Sequence, residues 1–257
     1  MKFNKENIRI SPNAQIGKNV KIGDHTIIYD NVIIGDNVII ANHCVIGEPL
    51  HSYYWDEKYE NPVTYIGNNS LIRSHTIIYA GSKLAAHLNT GHRVTVREYT
   101  IAGEHCSFGS YTDIQGYVKL GNYNRFHSFV NIGQNSETGD FVFVYPFVVF
   151  TNDSTPPSED LKGPYVGNYT QILTGAILLP GVRIGNHSMV AANSVAGGTF
   201  EDDSLIQGNP AKVLGKLSKM PLFNSKGKRH YPWPYHFDRG MPWQGIGYDE
   251  WLKNQEE

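Results

Sequence analysis

An apolar residue returns every sixth position near the start of the chain, at Ile10, Ile16, Ile22, Ile28, Ile34, Ile40 and Ile46. The count resumes at Ile66, a step of 20, or three hexads plus two residues. It then holds through Ile72, Ile78, Leu84, Thr90, Val96, Ala102, Phe108, Ile114, Leu120, Phe126, Ile132, Thr138, Val144 and Phe150. After a second step, of 16, it continues at Val166, Ile172, Leu178, Ile184, Val190 and Ala196. A helix repeats near 3.6 residues and a strand at 2, so six fits neither. Small or β-branched residues sit two positions earlier, as at Ala14, Val20, Thr26, Val32, Val38 and Cys44, and glycine often follows the hexad residue. Two inward side chains two apart make a short strand, and Gly, Asn and Asp beside them supply positive-φ corners. Three such strands close an 18-residue triangular coil, and coils stack because none buries enough alone. The pattern therefore predicts an all-β parallel β-helix of about nine coils.

The two phase breaks predict extruded loops, "GEPLHSYYWDEKYENPVTY" (Gly47–Tyr65) and "TNDSTPPSEDLKGPY" (Thr151–Tyr165). The aromatic content of the first suits stacking on a ligand or on a neighbouring subunit. Residues 1–214 read as the solenoid domain. Residues 215–257 read as an aromatic, proline-rich cap with one short helix at "YDEWLKN", in which Trp233, Trp243 and Trp251 serve packing.

Composition narrows the function classes. At 40% apolar and 18% charged residues over 257 positions, the chain folds, and a net charge of -2 gives no pull toward nucleic acid or membrane. Its two cysteines, Cys44 and Cys106, lie in small-residue slots of the repeat, so they read as packing groups. No disulfide framework, signal-peptide core or membrane-spanning run is visible, and the expected setting is cytoplasmic.

No phosphate loop, GxSxG or HExxH motif is present. The richest polar stretch is "SHTIIYAGSKLAAHLNTGHRVTVREYT" (Ser74–Thr100). Stacking by 18 aligns Ser74, His92, Ser110 and Ser128 in one column and Gly91, Gly109 and His127 in the next. A third column holds Asn69, His87, His105 and Tyr123. His87 and His105 leave open a rival reading as a zinc-dependent carbonic anhydrase, which a metal assay tests; the expectation is no metal. A non-catalytic or ice-binding solenoid is a further rival, disfavoured by irregular polar faces.

The repeat over residues 8–214 resembles the hexapeptide-repeat acyltransferases. That resemblance implies a left-handed β-helix and a homotrimer with active sites at subunit interfaces. The stretch "VIGEPLHSYYWDEKYENPVTYIGNNSLIRSHTIIYAGS" is similar to UDP-N-acetylglucosamine acyltransferases. There Asp56-Glu57-Lys58-Tyr59 matches a DLKY motif whose aspartate contacts the acceptor sugar, and "HLNTGHRV" matches the stretch bearing the catalytic histidine. The likeness thus implies His92 as general base and the Ser110 backbone N–H as oxyanion donor. It further implies Asp56, Ser82 and His127 around the sugar, with Tyr53 and Tyr54 nearby. Ser128 stands where that family has a phosphate-contacting glutamine. The family's glycine-rich insertion and helical C-terminal domain are lacking. Glu98 is expected to orient a histidine across the subunit cleft.

The later stretch "TNDSTPP…GAILLPGVRIGNHSMVAANSVAGG…LIQGNPAKVLG" resembles coenzyme-A-dependent acetyltransferases of nucleotide-linked amino sugars and O-antigen sugars. It implies coenzyme A held along Asn152, Gly175, Asn193, Lys212 and Lys216. Together these resemblances imply an N-acyltransferase moving an acyl group, acetyl first among them, from acyl-CoA to the amine of a dTDP- or UDP-linked deoxysugar. The alternatives are an O-acetyltransferase acting on a saccharide and a sugar acyltransferase that depends on an acyl carrier protein.

Overall fold

The structure, a computed structural model, describes residues 5–256, and among them short strands, most of two or three residues, alternate with turns from Arg9 onward. They form three parallel sheets, the faces of a triangular prism. The first face runs from Arg9–Ile10 to Val195–Ala196 and the second from Gln15–Ile16 to Thr199–Phe200, with ten strands each. The third runs from Lys21–Ile22 to Ser204–Gly208 and gains an eleventh, antiparallel strand, Ala211–Lys216. The hexad residues point inward; Ile40, Ile46, Ile66, Ile72, Ile78, Ile114 and Ile132 all have no exposed surface. Burying each such side chain stabilises the fold by roughly 1.5–3 kcal/mol. The small residues two positions earlier also face in, as Thr26, Ser70, Thr76, Ser82 and Cys106 show.

There are more coils than the nine expected. Strands Thr199–Phe200 and Ser204–Gly208 pair with Arg183–Ile184 and Met189–Val190 only 16 residues earlier, so this last coil falls out of phase and escapes a count of hexads. The phase breaks also resolve differently. Ile34 pairs with Ile66, a step of 32 where a plain coil takes 18, so the first loop adds 14 residues to one ordinary hexad. Thr138 pairs with Val166, a step of 28, so the second adds ten.

The corners are not turned mainly by glycine. Positive φ falls three positions after the hexad residue, at Asn19, His25, Asn37, His87, Tyr111, Phe129 and their equivalents. The glycine directly after the hexad residue has another cause. A Cβ at Gly67 would lie 2.3 Å from the Ala86 nitrogen, so coil-to-coil approach excludes a side chain there. Left-handed backbone costs a non-glycine residue roughly 1–2 kcal/mol. Stacking offsets it: His87, His105, Tyr123, Phe141, Tyr169 and His187 form a ladder along the second-to-third edge, with ring centroids 4.2–5.2 Å apart. Each stacked pair is worth about 0.5–1.5 kcal/mol.

Residues 217–256 fold back along the outer side of the third face. Leu217 joins Met189 and Leu205 in a small cluster, and Trp233, Met241 and Trp243 pack on Phe141 and Phe143. The Trp233 indole donates to the Tyr169 carbonyl at 2.8 Å. A helix, Tyr248–Glu256, closes the segment, with Trp251 against Trp243. The tail is a strap on the flank, since its partners are side chains of successive coils. Among the described residues no helix is long and apolar enough to cross a membrane.

Candidate functional site

The edge between the third and first faces carries the column that the 18-residue step aligns. The Ser74 hydroxyl lies 2.8 Å from His92 Nδ1, and the His92 backbone N–H donates to Ser110 Oγ at 3.0 Å. His92 is exposed, and with Nδ1 held by Ser74 its Nε2 is the free nitrogen. Beside this column, on the side of the third face, run Arg73, Gly91, Gly109, His127 and Tyr145, the residues that directly follow the hexad positions. The His127 and Tyr145 rings are stacked at 4.8 Å. Loss of hydration, with the neighbouring Arg125 guanidinium, holds His127 below the usual imidazole range.

Beside these columns the outer surface of the third face opens as a groove of about 420 Å³. Its floor is Asn89, Ser107, Arg125 and Phe143 together with the bare backbone of Gly91 and Gly109. The strap supplies one wall through Phe237 and Arg239. Outside the His92 column lies a second ladder, Tyr111, Phe129 and Phe147, stacked 5.0 and 5.2 Å apart. These three rings are 51%, 48% and 59% exposed, an unusual state for a contiguous aromatic row.

The structure therefore brings together His92, Ser110, Ser128 and His127. Gly175 and Asn193 lie further along the same edge; Gly175 has φ 73°, and the Asn193 Oδ1 would lie 2.3 Å from a Cβ placed there. The terminal hairpin is tied to that edge by Gly208 N–H donating to Ser194 Oγ at 3.1 Å. Lys212 and Lys216, opposite Gln207 and Ser204 on this hairpin, are both exposed.

Other expected site residues lie elsewhere. Glu98 is on the first-to-second edge, and its carboxylate takes both Arg97 Nε at 2.7 Å and Nη2 at 3.1 Å. The first loop leaves the prism at that edge too, so within one chain Tyr53, Tyr54 and Asp56 are a full face away from His92. Asp56 accepts the Lys58 N–H at 2.9 Å, and Tyr54 donates to Glu48 at 3.3 Å. Asn152 also belongs to this edge, with its amide donating to the Gln134 carbonyl at 3.4 Å. Ser82 has no exposed surface and donates to the Arg97 carbonyl at 2.9 Å, so it has no free face for a sugar. Its place two positions before Leu84 is an inward slot of the repeat. His87 and His105 lie face to face at 4.2 Å, an arrangement that spends their rings on stacking.

Sequence reasoning missed Arg73, Arg125, Arg239 and Phe237. Arg73 left a faint signal, a charged side chain where the repeat favours glycine. Arg239 left none, because nothing in the linear pattern says where the strap lands.

The family model described as bacterial transferase hexapeptide (six repeats) matches residues 9–48 and 163–198. The chain carries the hexapeptide repeat. Over 83 residues the chain is 37% identical to a "Probable macrolide acetyltransferase" of Lysinibacillus sphaericus. That match covers 30% of the chain and 46% of the relative, less than half its length. Among solved structures, LpxA from Acinetobacter baumannii is 18% identical, with 82% of this chain and 72% of that one covered and a TM-score of 0.43. The hexapeptide-repeat acetyltransferase VCA0836 of Vibrio cholerae, solved with acetyl coenzyme A, is 23% identical, with coverage of 49% and 69% and a TM-score of 0.36.

Proposed function

We propose that this chain is an acyltransferase that moves an acetyl or other short acyl group from acyl-CoA to the amine of a nucleotide-linked amino sugar, with His92 as general base. The observation that carries the reading is the Ser74–His92–Ser110 column beside an open groove. In the tautomer with Nδ1–H donating to Ser74, the lone pair sits on Nε2 and takes the proton of the attacking amine. The nitrogen bonds to the thioester carbonyl carbon, the carbonyl oxygen becomes an oxyanion, and collapse expels the thiolate, which accepts the proton. A positioned base contributes roughly 10²–10⁴ in rate and one oxyanion donor roughly 10²–10³. Coenzyme A is proposed to lie along the same edge past Gly175 and Asn193 toward Lys212 and Lys216.

The working assembly in this reading is a homotrimer. The exposed ladder of Tyr111, Phe129 and Phe147 offers the seam, and a neighbouring copy is what would bring the loop with Tyr53, Tyr54 and Asp56, and Glu98, to the base.

The test is release of free thiol from acetyl-CoA with a panel of UDP- and dTDP-linked amino sugars, with mass spectrometry of the product. Wild type gains one acetyl on its acceptor, and His92→Ala loses about 10²–10⁴ in turnover. Near-wild-type turnover of His92→Ala would end this reading. The match to the L. sphaericus acetyltransferase favours a second reading, acetylation of a hydroxyl. Mild hydroxylamine separates the two, because it removes an ester and spares an amide.

A further inference from the structure

Three guanidinium groups line one groove. Arg73, Arg125 and Arg239 all border the 420 Å³ space on the third face, with His127 beside them and no carboxylate in its lining. Among the described residues none of the three forms an ion pair with a carboxylate, although Arg97 and three lysines elsewhere do. Like charges collected without a counter-ion raise the energy of the empty groove, which an anion relieves.

Arg125 is built into place. Its guanidinium carbon lies 5.3 Å from the centroids of both Phe143 and Phe237, and Nη2 donates to the Arg239 carbonyl. Two aromatic faces and a carbonyl fix a planar donor before any ligand arrives, so less side-chain freedom is lost on binding. Arg73 and Arg239 are exposed at the two margins. The floor between them is open because Gly91 and Gly109 present no side chain, while Asn89 and Ser107 add an amide and a hydroxyl. A planar fork flanked by two further cations suits a diphosphate better than a single carboxylate, because several charged oxygens must be met at once.

We infer that this groove is a phosphate-binding site for a diphosphate-bearing substrate, completed by the C-terminal strap through Arg239. The inference deepens the proposed reaction by naming how its substrate is recognised, and it rests on that reading only for the link to turnover. Two sources share the chemistry, the diphosphate of coenzyme A and that of a nucleotide-linked acceptor.

The experiment is calorimetric and thermal-shift titration of the full chain with inorganic pyrophosphate at low and high salt, with no acyl donor present. Wild type should show saturable binding that raises Tm and weakens as salt rises. Arg73→Ala and Arg239→Ala should each lower affinity about tenfold to hundredfold while keeping the ligand-free Tm, since both side chains are exposed. Arg125→Lys should keep the fold and the charge yet lose affinity with the planar fork. Competition by coenzyme A would assign the diphosphate to the donor, and competition by uridine diphosphate to the acceptor. Absence of pyrophosphate binding to wild type, or equal affinity in an Arg73→Ala, Arg239→Ala double variant, overturns the inference. Neither result depends on His92, so the two readings fail separately.

Discussion

Truncating Trp243 to alanine should release the strap while leaving the prism intact. The indole is 1% exposed, packs against Phe141, Trp233, Tyr248 and Trp251, and donates to the Phe237 carbonyl at 2.9 Å. Burying a tryptophan removes about 150–250 Å² from water, and Trp→Ala changes in well-packed sites cost about 3–5 kcal/mol. The coils bond to one another through a continuous backbone ladder, which the strap joins only at its root, where Leu217 N–H donates to the Asp203 carbonyl at 2.7 Å; the rest of its backbone bonds lie within its own turns. Past Ser218, whose N–H and hydroxyl both donate to the Asp203 carboxylate at 2.7 Å, its side-chain ties to the prism are few, chiefly Trp233 to Tyr169 and Arg125 to Arg239. The loss should therefore fall on local opening of residues 233–256. At about 1.4 kcal/mol per decade, exchange of strap amides such as Phe237 and Trp251 should quicken by roughly two to nearly four orders of magnitude. The coil amides Phe143 and Tyr169 should keep their wild-type protection. Native-state hydrogen exchange with peptide-level readout measures both at once. If strap and coil amides accelerate together, the strap is part of the folding unit and the reasoning fails.

Three further outcomes follow from the same structure. Ile132→Ala, at a position with no exposed surface, should cost about 2–5 kcal/mol by chemical denaturation, since neighbouring coils cannot close the cavity. Burial lowers the folded-state pKa of His105 and His187, in the latter against Asp202 and Asp203, so the unfolded chain binds protons first as pH falls. Their contribution is intact above the unfolded value of about 6.5 and is lost as pH drops through the folded values, so Tm should decline between about pH 7 and 5; a flat or rising profile refutes this. Burial pushes the Cys44 thiol up to about 11 and Cys106 up to about 12, so neither should react with a thiol reagent at neutral pH until the chain unfolds.

The sequence by itself determined the prism and the column that holds His92. A strict step of six leaves only three-sided coils, and once coils bond strand to strand, residues 18 apart must meet; Ser74, His92 and Ser110 were legible by arithmetic. The same frame also assigned Ser82 to the interior, an implication that the family likeness obscured. Tertiary structure alone decided what breaks the period. The out-of-phase last coil and the landing of the strap on Phe141 and Phe143 have no linear signature. Arg125 and Arg239 stand 114 positions apart. Their meeting depends on packing of irregular chain against a surface, where many weak contacts choose the place and no repeat fixes the register.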